Sequence, residues 1–336
     1  MIIHGDCLGE MRKMADNFIS AIVTDPPYGL SFMGKGWDHM VPEVSYWKEA
    51  LRISKPGAFL IAMGGTRTFH RLICAIEDAG WEIRDCLMWI YGSGFPKSHN
   101  HFGIEGYGTA LKPAYEPIIM AMKPLEGTFK QNAEKWGQAG INIDGCRIAT
   151  DELKPYSGGI HRGMMNDDAW EGKDHIKDAP KGRWPANVIL DEEAGKVLDE
   201  QSGNLTSGRL DRSRISAQNK IYGKGPQEMT GIHEKSSGGA SRFFYCAKAS
   251  SKERGESNNH PTVKPLKLME YLIKLVMPPK DGILLDPFAG SGTTILAAKR
   301  LGFKAVGIEQ QAEYCEIANL RLAECLEINE SLQNIT

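Results

Sequence analysis

The chain has 336 residues, a net charge of −2 and 41% hydrophobic residues, so it can bury a large core and suggests two domains or one domain with a large insertion. Seven cysteines scattered from Cys7 to Cys325, with no C-x-x-C pair, point to a reducing compartment and to neither a disulfide framework nor a zinc site. The opening MIIHGDC lacks a basic and apolar leader, and no apolar run approaches the ~18 residues of a membrane span, which argues against secretion and membrane insertion.

In chain order, Met1 to His4 reads as a short strand, followed by a small helix around Leu8 to Met14 and the strand Ile19 to Thr24. A helix over Val44 to Ile53, the strand Ala58 to Met63, a helix over Thr66 to Ala79 stopped by Gly80, and the strand Trp81 to Tyr91 come next. Ala114 to Lys123 reads as one more core strand. The loop Gly92 to Pro96 before it carries Phe95, read either as a wall of a binding pocket or as packing under the glycines. Near the other end, Gly282 to Asp286 is a short apolar strand, Ser291 to Leu301 a helix, Lys304 to Ile308 a second apolar strand, and Ala312 to Leu326 a core-packing helix. Alternating strands and helices predict an α/β fold, doubly wound with a mainly parallel sheet. Ligands gather at the carboxyl ends of such strands.

Two motifs fall at those ends. Asp25-Pro26-Pro27-Tyr28 follows the strand Ile19 to Thr24; it is either turn punctuation or a site in which two prolines hold hydrogen-bond acceptors in place. The second is GILLDPFAGSGTT over Gly282 to Thr294, where Asp286, Gly290 and Gly292 give D-x-x-x-G-x-G. Missing side chains let backbone approach a ligand. Glu309, about 20 positions beyond the glycines, is where an acidic residue grips a ribose diol in doubly wound folds. The absent third glycine argues against a standard dinucleotide site, and a plain strand, turn and helix is the bland alternative.

Together these residues resemble the S-adenosylmethionine-dependent amino methyltransferases of DNA. The catalytic motif comes first and the cofactor motif last, which is similar to the permuted beta class. His260-Pro261-Thr262-Val263-Lys264-Pro265 matches another cofactor-side motif, and the opening Gly5-Asp6 matches the family's first strand. The resemblance covers roughly residues 1 to 123 and 246 to 327. It implies a Rossmann-like, class I methyltransferase fold with S-adenosylmethionine as cofactor and double-stranded DNA as substrate. It also implies roles: Asp25 and the Pro26 carbonyl accept hydrogen bonds from an exocyclic amine, Pro27 stiffens the turn, and Tyr28 stacks the flipped base. Asp286, Phe288, Gly290 and Gly292 would form the cofactor loop, with Glu309 on the ribose, Thr262 at the methionine end and Asp6 near the adenine. No metal is called for.

Residues 124 to 245 are loop-rich, with stretches such as GQAGINIDG and KSSGGASR, and no clean helical or alternating period persists there. An insertion this long needs a job. In the permuted class the slot holds the target-recognition region, giving catalytic segments 1–123 and 246–336 around an insertion at 124–245. Ser207 to Lys248 carries eight basic against three acidic residues, a net of +5, including Arg209, Arg212, Arg214, Lys220, Lys224 and Arg242. These are candidate DNA phosphate contacts, with a solvated loop as the alternative for each. Trp136, Trp170 and Trp184 read as anchors of a small core, and His161, His175 and His233 as surface residues. The glycine-rich GKGWDHM, with Trp37 and His39, could close over substrate.

The expected activity is transfer of a methyl group to the exocyclic amine of adenine in double-stranded DNA, without a covalent intermediate. No Pro-Cys dipeptide is present for ring-carbon chemistry. Adenine is preferred because the family's cytosine amino methylases more often carry Ser at the position of Asp25. Cytosine amino methylation, RNA methylation and a non-catalytic DNA-binding relic are the alternatives, and the relic predicts broken motifs where none is visibly broken. The expected compartment is the cytoplasm. A stand-alone modification enzyme is the default reading. Homodimer formation and a cognate restriction endonuclease stay open.

Overall fold

The apolar runs at both ends of the chain meet in one nine-stranded sheet. The computed structural model describes residues 1–30, 38–94, 98–99, 103–150, 156–157, 176–177, 182–206, 210–211, 232–233, 237–247, 263–279 and 281–333. Its strands are β1 (Ile2–His4), β2 (Ile19–Thr24), β3 (Ser54–Met63), β4 (Glu82–Ile90), β5 (Tyr115–Met122), β6 (Val188–Asp191), β7 (Tyr245–Ala247), β8 (Ile283–Asp286) and β9 (Lys304–Glu309). They lie in the order β1-β9-β8-β2-β3-β5-β4-β6-β7. Neighbours pair in parallel except β5, which runs antiparallel to both β3 and β4. Two-residue strand pairs outside this sheet join 156–157 to 176–177, 205–206 to 237–238 and 210–211 to 232–233.

Every residue of β2 is buried, as a central parallel strand covered on both faces requires. Side chains alternate between those faces with period two. Ala21, Val23, Phe59, Ile61 and Met63 join one core with α6 (Leu266–Val276) and α7 (Thr293–Arg300). Ile22, Leu60 and Ala62 point to the other, built with α1 (Cys7–Arg12), α2 (Val44–Ile53) and α3 (Phe69–Asp78). The doubly wound arrangement therefore follows from strands apolar on both sides. Trp47 of α2 anchors the second core at 1% exposure, its indole donating to the Pro42 carbonyl at 3.1 Å while its own carbonyl accepts from Trp81 at 3.0 Å. Trp47→Ala should lower unfolding free energy by about 4 kcal/mol in a denaturant titration, because the void cannot collapse.

Several elements depart from the sequence reading. β3 begins at Ser54 rather than Ala58: Pro56 and the positive φ of Gly57 (77°) interrupt the apolar pattern, but Ser54 still pairs with Ile19 across a register shift. α6, which follows Pro265, lies outside the elements expected from the sequence pattern. Residues 124–245 contain more regular structure than their periodicity suggests, with α4 (Phe129–Trp136), α5 (Glu192–Ser202) and β6. Their signals are caps rather than stripes: Thr128 and Gln131 form a capping box, Gly137 ends α4 at φ 75°, and Asp191 caps α5. β6 also extends the main sheet through β4, so the segment is built into that sheet. Trp184 is no core anchor. It is 66% exposed with the Arg147 guanidinium 5.3 Å over its ring. Trp136 is half-buried and donates to Glu126 at 3.1 Å, and Trp170 lies outside the described residues.

Candidate active site

The carboxyl ends of β2, β3, β8 and β9 converge on one cavity of about 1820 Å³, lined among others by Asp6, Asp25, Tyr28, Phe288, Gly290 and Glu309. β8 pairs directly with β2, placing Leu285 opposite Ile22. Motifs about 260 residues apart in the chain are thus adjacent strand ends. The Thr24 hydroxyl donates to Asp286 at 2.6 Å and links them. β5 runs the other way, so its first residues, Tyr115 and Glu116, arrive at the same edge.

At the β2 end, Asp25 Oδ1 accepts from the Tyr28 hydroxyl at 2.7 Å, and Oδ2 accepts from Lys264 Nζ at 2.7 Å. Lys264 also lies 3.4 Å from Glu116 and 5.2 Å above the Tyr28 ring. Pro26 and Pro27 both line the cavity. Burial opposes the Lys264 charge, but the flanking carboxylates of Asp25 and Glu116 outweigh it and hold the ammonium above its usual range. Burial, then the same two carboxylates, pushes the Tyr28 phenol well up, so it keeps its proton at neutral pH. Asp38, 3% exposed, takes the backbone N–H groups of Tyr28 (2.7 Å) and Gly29 (2.9 Å) on one oxygen. The sequence reading singled out Trp37 and His39 beside it. His39 is exposed, and Trp37 lies outside the described residues.

At the β8 and β9 ends, Glu309 closes the glycine loop. Its Oε2 accepts from the Gly290 backbone at 2.8 Å and its Oε1 from Gln311 at 2.7 Å, while burial raises its carboxyl above the usual range against those bonds. Gly290 sits at φ 52° and Gly292 at φ 78°. A Cβ at Gly292 would stand 2.8 Å from that of Ala318, so helix α8 (Ala312–Gln333) also demands glycine there. Phe288 packs its ring 6.3 Å from Tyr46 and 6.4 Å from Trp47. Asp6 caps α1 by accepting from Gly9 at 2.8 Å at the cavity wall.

Asp286 is 1% exposed, and burial pushes its carboxyl up to about 6 against hydrogen bonds from Thr24, Thr294 and the Phe288 backbone, with nearby Asp25 adding to the rise. An unfolded aspartate titrates near 3.9, so the folded state binds this proton more tightly, and the group's contribution to stability falls as pH rises from about 4 to about 6. Asp286→Asn removes that loss. The stability of the variant relative to the unsubstituted chain should therefore climb across this window by up to about 3 kcal/mol, read from denaturant melts at a series of pH values.

Of the remaining sequence candidates, Arg242 donates to the carbonyls of Gly238, Gly239 and Leu205 and stacks on Phe243 at 4.4 Å, which ties it to its own turn and to the paired strand at 205–206. Thr262, Arg209, Arg212, Arg214, Lys220 and Lys224 lie outside the described residues, as do Phe95, His161 and His175. Lys264, Glu116 and Asp38 were missed as site residues. Lys264 stood inside a quoted motif, but nothing in the sequence aims it at Asp25.

The family described as DNA methylase, of amino N6 and N4 type, matches residues 19–320. The chain belongs to this DNA methylase family. Relatives include the type II methyltransferase M.HindIII of Haemophilus influenzae, 24% identical over 96% of this chain and 94% of that protein. The DNA adenine methyltransferase YhdJ of Escherichia coli is 25% identical over 96% of this chain and 82% of its own length. The fold is shared with PvuII DNA methyltransferase, described as cytosine-N4-specific, at a TM-score of 0.51 and 16% identity over 99% of this chain and 92% of that one. The methylase cavity suits S-adenosylmethionine by its chemistry. Asp6 and Glu309 put carboxylate acceptors on the cavity wall, and such an acidic wall tolerates a cationic methyl donor where it would repel a pyrophosphate. Among the described residues no helix is long and apolar enough to cross a membrane, and no cluster of His, Cys, Asp and Glu could hold a metal ion.

Proposed function

We propose that the chain methylates the exocyclic amine of adenine at specific sites in double-stranded DNA. The observation carrying this reading is the single cavity that joins the Asp25 carboxylate to the loop closed by Glu309. Bound S-adenosylmethionine would supply an electrophilic sulfonium methyl group. Glu309 would hold its ribose, Asp6 its adenine, and Thr262 its methionine end, on the loop of Asp286, Phe288, Gly290 and Gly292. The target base leaves the duplex and stacks on the Tyr28 face opposite Lys264. Asp25 and the Pro26 carbonyl accept hydrogen bonds from the amine, which localises its lone pair and aims it at the methyl carbon, while Pro27 keeps the turn rigid.

Adenine rather than cytosine is favoured by Asp25 at the first motif position and by a relative named as a DNA adenine methyltransferase. Target recognition is assigned to residues within 124–245, inserted between catalytic segments 1–123 and 246–336. Arg209, Arg212, Arg214, Lys220 and Lys224 are proposed as phosphate contacts, and Arg242 as the anchor of its turn in the same charge run. Cytoplasmic action, without an accompanying endonuclease, fits this reading.

The deciding experiment is transfer of labelled methyl from S-adenosylmethionine to unmethylated duplex DNA, followed by nucleoside mass spectrometry. A 6-methyladenine product is expected. A 4-methylcytosine product overturns the base assignment, and label on RNA or protein alone overturns the substrate.

A further inference from the structure

Four side chains from three parts of the fold close a ring in the cavity. Asp25 and Tyr28 follow β2, Glu116 lies on β5, and Lys264 precedes α6. Asp25 draws both donors closely, the Tyr28 hydroxyl at 2.7 Å and Lys264 at 2.7 Å. Glu116 Oε2 faces the same two donors at 3.1 and 3.4 Å. A phenol carries one proton and can donate to only one carboxylate at a time. The donors thus lean on Asp25, whose lone pairs a docking amine needs, and Glu116 stands beside them as the less well supplied acceptor. The side chains of Asp25 and Glu116 are only 20% and 21% exposed and that of Lys264 10%, so water can make up little of any lost pairing.

We propose that Glu116 and Lys264 are positioning residues that work as a donor exchange for Asp25. In the resting site the ammonium and the phenol proton neutralise Asp25. When a target amine docks, Lys264 leans to Glu116 and the Tyr28 hydroxyl turns to it, returning Asp25 lone pairs to the amine. Without the charge of the second carboxylate the donors are held more firmly on Asp25 and compete with the base. The inference rests on the reading of Asp25 as the amine acceptor.

Two variants test it in single-turnover methyl transfer, with S-adenosylmethionine binding and melting temperature followed in parallel. Glu116→Gln, which keeps the shape and removes the charge, should slow transfer about 10²-fold with cofactor affinity unchanged, and Glu116→Asp should recover most of the rate. Lys264→Met leaves Asp25 and Glu116 facing each other across the phenol, with Tyr91 and buried Asp286 as the other titratable neighbours. Two carboxylates without their cation hold a proton between them, so this variant should be slow at mildly acidic pH and recover as pH rises. The profile is read as the ratio of the variant's rate to that of the unsubstituted enzyme at each pH, so that titration of Asp286, common to both, largely cancels.

Transfer at the unsubstituted rate by Glu116→Gln overturns the exchange, as does a Lys264→Met rate reduced equally at every pH. If Glu116→Gln does not fold, the Lys264→Met profile decides. Asp25→Asn separates the two levels. Its loss of transfer beside a fully active Glu116→Gln rejects the exchange and keeps Asp25 as acceptor, whereas a fully active Asp25→Asn rejects both.

Discussion

Asp25→Asn is expected to slow methyl transfer to DNA by about 10³-fold while the dissociation constant for S-adenosylmethionine changes little. Its carboxylate accepts from Tyr28 and Lys264 at the β2 end of the cavity. An amide in its place turns its one oxygen to the ammonium and presents N–H to the incoming amine, which replaces an acceptor by a competing donor. The proposed cofactor end is held by Glu309 through bonds to Gly290 and Gln311 that do not involve Asp25, so binding there should persist. Asp25→Ala should also abolish transfer, and it carries a stability cost of about 3 kcal/mol because Lys264 loses its nearer partner in a mostly buried site. Single-turnover kinetics and titration calorimetry on folded protein give the two readouts. Equal loss of transfer and cofactor binding in a folded variant would show that Asp25 serves the cofactor pocket instead.

Glu309→Ala should produce the opposite split, weakening S-adenosylmethionine binding by about 10²-fold or more. The carboxylate orders the loop through two charge-assisted bonds, to the N–H groups of Gly290 and Gln311, each worth roughly 1.5–3 kcal/mol. Removing it strands those donors and deletes the proposed acceptor for the ribose. Glu309→Gln keeps one oxygen for one of the two N–H groups and should fall between. At saturating cofactor the transfer step of Glu309→Ala should return close to the unsubstituted rate. A variant that binds normally but transfers slowly would move Glu309 from cofactor binding to the chemistry.

Much of the fold was legible because a strand buried on both faces leaves an apolar run and a surface helix an apolar stripe: Ile19 to Thr24 was assigned with its observed bounds, and the helix Val44 to Ile53, which buries Trp47, Ala50 and Ile53 at helical spacing, likewise. Asp25 and Glu309 were legible as candidates because they stand where strands end and ligands collect in this class of sheet. The strand β6 and helices α4 and α5 escaped because their start and stop signals are caps, and short or exposed elements carry little periodicity. The amino-acid sequence by itself determined the strand and helix alternation, the motif order and the family, all of which are written in local patterns along the chain. Only the tertiary structure decided that Glu116 and Lys264 surround Asp25. β5 runs antiparallel and so brings its first residues to the edge where parallel strands deliver their last, and the stretch before α6 reaches back across 239 positions to make a 2.7 Å ion pair. Contacts of that kind depend on strand order and direction, which no local pattern encodes.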